Sequence, residues 1–180
     1  MARRAPLSVV VRPATPADAE ALARLHLRSW RATYDPLLTP ADRRLIRLDE
    51  RRTAWRARLA GPSGSVWLAE RAGHVLGLVA VGPAEDPDLD ARHVGEVASI
   101  HVSPGRRGFG LGRQLLTRGE AVLRELGYRE AILWVLADNA AARRFYEHLG
   151  WLPDGAALRR EMGGVAGLPV VDEVRYRRSL

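Results

Sequence analysis

The stretch Ser103-Pro104-Gly105-Arg106-Arg107-Gly108-Phe109-Gly110-Leu111-Gly112-Arg113 holds the residues whose types and spacing most plainly suit chemistry. It follows a run that reads as a strand, Gly95 to Val102. It opens a run of helical periodicity, Leu111 to Leu126, closed by Gly127. Glycines let a backbone approach a ligand closely, and a helix start directs unpaired N–H groups and a positive dipole outward. Such a turn suits phosphate or pyrophosphate, and Arg106, Arg107 and Arg113 add fixed charge. It is not a dinucleotide fingerprint. In Gly-x-Gly-x-x-Gly the third glycine position falls on Arg113 when counted from Gly108, and on Leu115 when counted from Gly110. By itself a glycine cluster can equally be a tight connection.

A second constellation, Asn139 to Trp151, follows a buried-type strand at Ala131 to Leu136. Asn139 stands where a helix should start and is a natural cap. In the helix Asn139 to Leu149, closed by Gly150, Ala142, Phe145, Tyr146 and Leu149 share one face. That face must point at the core and takes the phenol of Tyr146 with it. On the strand before the glycine turn, Glu96 is a candidate base or an exposed strand glutamate, and His101 reads as structural. Ser99 and Ser103 lack any partnered His/Asp arrangement, so no covalent enzyme intermediate is expected. Trp30 and Tyr34, four apart, form one aromatic wall of a pocket or pack the core. The run Glu85 to Asp90 could attract a cation, though such runs are more often solvated loops.

The elements around these residues are legible from punctuation. Leu7 to Arg12 reads as a strand. Thr15-Pro16-Ala17-Asp18 starts a helix carrying Leu22, Leu25, His26 and Trp30. Thr39-Pro40 opens a second helix, with Leu45, Leu48, Trp55 and Leu59 on one face, ended by Gly61-Pro62. Ser65 to Arg71 and Val75 to Val81 are strands joined around Ala72-Gly73-His74, and Pro83 to Arg92 is an acidic loop. Ala156 to Met162 and Val170 to Arg177 supply two more strands. The sum is a mixed α/β domain of about seven strands and about four helices.

The chain has 180 residues, 47% hydrophobic and 27% charged, which suits one domain over residues 7–180 with a tail at 1–6. Its 28 cations against 21 anions leave a net charge of +7, and every cation is Arg. The absence of Cys excludes disulfides, thiolate metal sites and cysteinyl intermediates. The absence of Lys excludes a Walker A loop and acetylation of the chain's own lysines. The five His residues show no metal-ligand spacing, so no metal is expected. No run approaches the ~20 apolar residues of a membrane span, and the N-terminus lacks a signal-peptide core, so no membrane contact and a cytoplasmic location are expected. The positive charge admits a nucleic-acid partner as a lesser reading, but the arginines are scattered rather than blocked.

The two constellations together resemble the GCN5-related N-acetyltransferase (GNAT) superfamily. Arg107-Gly108-Phe109-Gly110-Leu111-Gly112 matches its pyrophosphate-loop pattern, Gln/Arg-x-x-Gly-x-Gly/Ala. Asn139, Ala142, Phe145, Tyr146 and Gly150-Trp151 match its second cofactor motif. The resemblance extends over roughly Val9 to Tyr176, with its specific part in Gly95–Trp151. It implies an α/β (α+β) fold: a mixed, mostly antiparallel sheet whose strands Gly95–Val102 and Ala131–Leu136 splay apart to bind acyl-CoA. It implies main-chain contacts to the cofactor at Ile100 and Val102, and pyrophosphate held at Gly108, Gly110, Gly112 and Arg113 with Arg107 nearby. It also implies a pantetheine contact at Asn139, Tyr146 as the acid that protonates the leaving thiolate, and Glu96 as a base acting through water. The implied activity is direct transfer from acetyl-CoA to a primary amine, with Trp30 and Tyr34 on the acceptor side. A non-catalytic acyl-CoA-binding module is the alternative, and the C-terminal strands could supply a homodimer contact.

Overall fold

The chain, described over residues 8–62 and 65–180 in a computed structural model, begins its sheet with β1 (Val10–Pro13). The expected tail and Leu7 lie outside the described residues. Arg12 anchors this short strand by a two-pronged bond to Asp18 (2.9 and 2.8 Å) and a third to Glu70 (2.9 Å). The Thr15 N–H donates to the Asp18 carboxylate at 2.7 Å, and a short turn at Pro16–Asp18 leads into α1 (Ala19–Tyr34). Leu22, Ala23, Leu25 and Trp30 recur at helical spacing and are buried.

The expected second helix is two helices, α2 (Pro40–Arg44) and α3 (Leu48–Ala60). The break lies at Leu45–Arg47. Ile46 turns into the core beside Leu27, Trp30 and Met162, Leu45 is left exposed, and Arg47 is extended at φ −103°, ψ 136°. Among the described residues the fold therefore has five α-helices rather than about four.

Strands β2 (Ser65–Arg71) and β3 (His74–Pro83) form a hairpin whose two turn residues, Ala72 and Gly73, have φ of 51° and 76°. Positive φ at both positions matches the right-handed twist of the paired strands. Next, β4 (Val94–Val102) pairs antiparallel with β3, and the register passes from Val81↔Val97 to Ala80↔Ser99. Ala98 is thus an extra residue, a bulge that bends β4 just before Ile100. Helix α4 (Leu111–Glu125), β5 (Glu130–Leu136), α5 (Ala140–His148), β6 (Leu152–Glu161) and β7 (Val170–Ser179) complete the chain. The seven-stranded sheet has the order β1-β2-β3-β4-β5-β7-β6 and is antiparallel except between β4 and β5. The sixth strand starts earlier than its sequence suggests, at Leu152, and a register shift lies between Pro153 and Ala157. As the sheet edge it tolerates a proline that an inner strand would not.

Each face of the sheet has its own core. Leu115, Leu116 and Leu123 of α4 pack with Val79, Leu133, Trp151 and Tyr176 on one side. Leu22 and Leu25 of α1 and Trp55 of α3 pack with Leu68 and Leu78 on the other. Gly119 brings α4 onto the sheet: a Cβ there would lie 3.0 Å from Val79.

Candidate active site

Parallel pairing between β4 and β5 covers only three residues, Val94–Glu96 against Glu130–Ile132. Beyond them the strands diverge. From Val97 onward, the side of β4 that faces β5 has no partner strand, so alternate backbone N–H and C=O groups around Ile100 and Val102 border a gap. Both residues are half-buried.

The glycine turn lies at one end of this gap. Gly108 and Gly110 have φ of 83° and 78°, a left-handed geometry that disfavours any side chain. Gly110 is itself the cap of α4, and no side chain satisfies the helix's first N–H groups. Those groups and the exposed loop before them form a concave set of donors. Gly112 packs under the ring of Phe145, where a Cβ would lie 3.3 Å from it, so α4 and α5 flank the loop closely. Arg113 is exposed and in no ion pair among the described residues. Arg107 leans back to α1, where its Nη2 donates to the Ser29 carbonyl at 3.4 Å. Asn139 caps α5: its Oδ1 accepts from the Ala142 N–H at 3.1 Å, and its side-chain NH₂ remains available as a donor.

Tyr146 is buried on α5, with ring centroids of Phe145, Tyr176 and Trp151 at 5.3, 6.2 and 6.5 Å. Its hydroxyl donates to no carbonyl among the described residues. Burial, and secondarily the nearby Tyr34 phenol, lift its pKa well above the ordinary tyrosine value. Glu96 sits at the last paired position of β4, opposite Ile132. Burial pushes its carboxyl up to about 7, helped by the negative charges of Asp86 and Glu85 and opposed by Arg160 and Arg58. Its pKa is therefore set by its surroundings near neutrality, where a base is most effective.

His101, expected to be structural, stacks on His26 with ring centroids 4.3 Å apart, and its Nδ1 lies 3.3 Å from the Ser29 hydroxyl. Burial draws His101 down to about 4 and His26 to about 2. Both rings are neutral at physiological pH and carry no charge into the site. Trp30 is buried, its ring centroid 4.7 Å from that of half-buried Tyr34. Burial and the carboxylate of Glu173 raise the Tyr34 pKa.

Sequence reading missed three things here. The acidic loop is not simply solvated. Asp86 accepts from Trp134 Nε1 at 3.1 Å, and Asp86, Asp88 and Asp154 enclose the buried guanidinium of Arg175 at 2.7–3.1 Å. The second is Glu173, a buried carboxylate of β7 paired with Arg160 at 2.5 Å. The third is a cavity of about 370 Å³ between α3 and β4, reaching Ser99. A cavity of about 450 Å³ at the far end of β6 and β7, lined by Leu152, Asp154 and Arg177, includes no residue of the gap. Among the described residues no group of three or more His, Asp or Glu side chains could hold a metal, and no helix is long and apolar enough to cross a membrane.

The sequence pattern of the acetyltransferase (GNAT) family matches residues 20–151. A mycothiol acetyltransferase of Amycolatopsis mediterranei is 36% identical over 138 residues, covering 74% of this chain and 42% of its own length. The chain thus spans less than half of that relative. An N-acetyltransferase-named protein of Mycobacterium tuberculosis, Rv2775, is 29% identical over 181 residues, 97% of each chain. Among solved structures, a Salmonella typhimurium protein in complex with acetyl-CoA superposes with a TM-score of 0.69 at 27% identity. The match covers 96% of this chain and 94% of that one.

Proposed function

This chain belongs to the acetyltransferase (GNAT) family, and on that premise we propose that it moves an acetyl group from acetyl-CoA directly to a primary amine of a small molecule or peptide. The observation that carries the reading is the divergence of β4 from β5 after Glu96, with an uncapped helix start at one end and Tyr146 and Glu96 beside it. These residues suit acetyl-CoA by the chemistry of their donors. The free N–H groups of Gly108 to Arg113 match a pyrophosphate, and the unpaired main chain at Ile100 and Val102 matches the pantetheine amides. Asn139 keeps a donor for the same arm. Acetyl-CoA supplies the acetyl group as an activated thioester.

The chain's own residues handle the protons. An alkyl amine with a pKa near ~10 is protonated at neutral pH and cannot attack until it loses a proton. Glu96 receives that proton on its carboxylate, directly or through water. The Tyr146 hydroxyl keeps its proton across the neutral range and delivers it to the departing sulfur. Main-chain N–H groups near Ile100 face the thioester oxygen as it gains charge. Trp30 and Tyr34 stand on the acceptor side of β4, Trp30 as a buried support and Tyr34 closer to Tyr146. A cytoplasmic location is part of this reading, and a second copy would meet the sheet at its free edge, β6.

Calorimetric titration with acetyl-CoA followed by thiol release with amines tests the reading. Saturable binding and amine-dependent release of CoA are expected. Binding without release would leave only an acyl-CoA-binding module, and no binding would overturn the cofactor site itself. The pH profile tests Glu96. Below about 7 its carboxyl is protonated and cannot accept a proton, so the rate should rise through that region and then level off. Glu96→Gln should lower kcat about 100-fold and abolish that limb. An unaltered profile would remove Glu96 from the proton path.

A further inference from the structure

The cavity of about 370 Å³ between α3 and β4 presents two arginines, Arg51 and Arg58, that have no carboxylate in direct contact among the described residues; Glu50 acts on the first, and Glu96 and Glu85 on the second, only from a distance. Neighbouring arginines have partners: Arg47 pairs with Asp49 at 2.9 Å, and Arg52 with Glu20 at 3.3 Å. Arg51 and Arg58 line the cavity and are in no ion pair among the described residues. Each also has a buried guanidinium nitrogen without a hydrogen-bond partner, Nη2 of Arg51 and Nε of Arg58. A buried charged donor is costly when left unpaired and is met by a protein group, water or a ligand. Arg52 also has such a nitrogen, Nε, but its charge is answered by Glu20, whereas Arg51 and Arg58 face open cavity. His26 can accept from Arg51 only at Nη1, and as a neutral ring it does not balance the charge. Its Nε2 lies 3.0 Å from Arg51 Nη1, and its Nδ1 lies 3.3 Å from Trp55 Nε1–H. A neutral imidazole accepts at one nitrogen only, so it can satisfy one of the two donors and not both. Trp30, whose ring centroid is 5.2 Å from the Arg51 guanidinium, holds that group in place without neutralising it.

The cavity also touches the reaction path. It reaches Ser99, the residue next to Ile100 on the open side of β4, and the charge of Arg58 acts on Glu96 and Glu85. The cavity therefore carries cationic groups on α3, and one of them, Arg58, lies within electrostatic reach of Glu96, the carboxyl assigned to receive the amine proton. Glu96 and Glu85 act on Arg58 and Glu50 acts on Arg51, so the net positive charge here is small, and a monoanion fits better than a phosphate dianion. Guanidinium forks match carboxylates in particular.

We propose, building on the acetyltransferase reading, that the acceptor is a primary amine that also bears a carboxylate, such as an amino acid or a short peptide, and that Arg51 and Arg58 receive this carboxylate. The amine end lies toward Glu96 and the side chain fills the cavity beside Trp55 and Gly163.

The test is thiol release from acetyl-CoA with matched probes: the common amino acids and several dipeptides against their decarboxylated or C-terminally amidated counterparts. At least one acid should exceed its counterpart in kcat/KM by about 10-fold to 100-fold, the span of a charge-assisted hydrogen bond. Arg51→Gln and Arg58→Gln should raise the KM for that acid by a similar factor and erase its advantage, with KM for acetyl-CoA unmoved. If no acid outperforms its partner, whether both are used equally or neither is, the carboxylate site is wrong. Variants that keep the advantage also overturn it. Loss of acetyl-CoA binding to the unaltered protein would instead overturn the acetyltransferase reading. Should Arg51→Gln fail to fold, Arg58→Gln and the matched pairs on the unaltered protein still decide.

Discussion

Tyr146→Phe should lower kcat by about 10²- to 10⁴-fold, the usual range for a lost general acid, while acetyl-CoA affinity stays within about threefold. The substitution removes one oxygen and leaves the ring in its contacts with Phe145, Trp151 and Tyr176, so packing around α5 is preserved. The asymmetry between rate and affinity follows from where the hydroxyl acts. In the proposed role its proton is needed only as sulfur becomes anionic, an event absent from the bound ground state. Burial makes this phenol a weaker acid than a tyrosine in water. Burial equally disfavours a naked thiolate in the same enclosure, so a proton shared between the two relieves the costlier charge. The check is steady-state kinetics beside calorimetry with acetyl-CoA. An unchanged kcat would remove Tyr146 from the chemistry. A parallel loss of affinity would make it a packing residue.

Arg175→Met should cost about 3–5 kcal/mol of stability, the penalty for breaking a buried ion pair from one side. For a chain of this size that is a fall in Tm of about 10 °C or more. Arg175 is 5% exposed, and its five guanidinium donors face Asp86, Asp88 and Asp154. Removing it leaves the largely buried carboxylates of Asp86 and Asp154 without a counterion. Arg175→Lys should recover only part of the loss, because one ammonium cannot reproduce four bonds to three partners. A urea melt of the three proteins tests this. A Met variant within about 1 kcal/mol of the parent would show that the aspartates find water easily. The effect should extend to the site, since Asp86 holds Trp134 and its charge raises the Glu96 pKa.

What could be read from the sequence and what could not divides along the range of the interactions. The hairpin of β2 and β3, the glycine turn before α4 and the Asn139 cap are each decided within a few neighbours, and local residue types reveal them. The break between α2 and α3 carries no glycine or proline. It exists because Ile46 is drawn into a core built by Leu27, Trp30 and Met162, residues remote in the sequence. The sequence places this strand from Ala156, whereas β6 starts at Leu152, because Pro153 and Gly155 are allowed at an edge. The site shows the same division. Its glycine turn is visible in the sequence as a motif. Arg175 meets Asp86 across 89 positions, and the unmatched charges of Arg51 and Arg58 appear only once α3 lies against β4. Counting charges along the chain cannot tell a partnered arginine from an unpartnered one.

The short pairing of β4 with β5 also fixes an order of assembly. β5 gains three residues of ladder from β4 and all seven from β7, which is translated after α5 and β6. Until β7 emerges, β5 is paired only at Glu130–Ile132 and keeps an open edge along its apolar remainder, the form of segment most prone to pair with another chain. The N-terminal hairpin and α1 can settle early through near contacts, whereas the half of the sheet that carries Trp134 and the cleft waits for the slowest, most distant pairing. The opening proposed to admit a cosubstrate therefore exposes the newborn chain to aggregation, and a β7-weakened variant should depend more on chaperones.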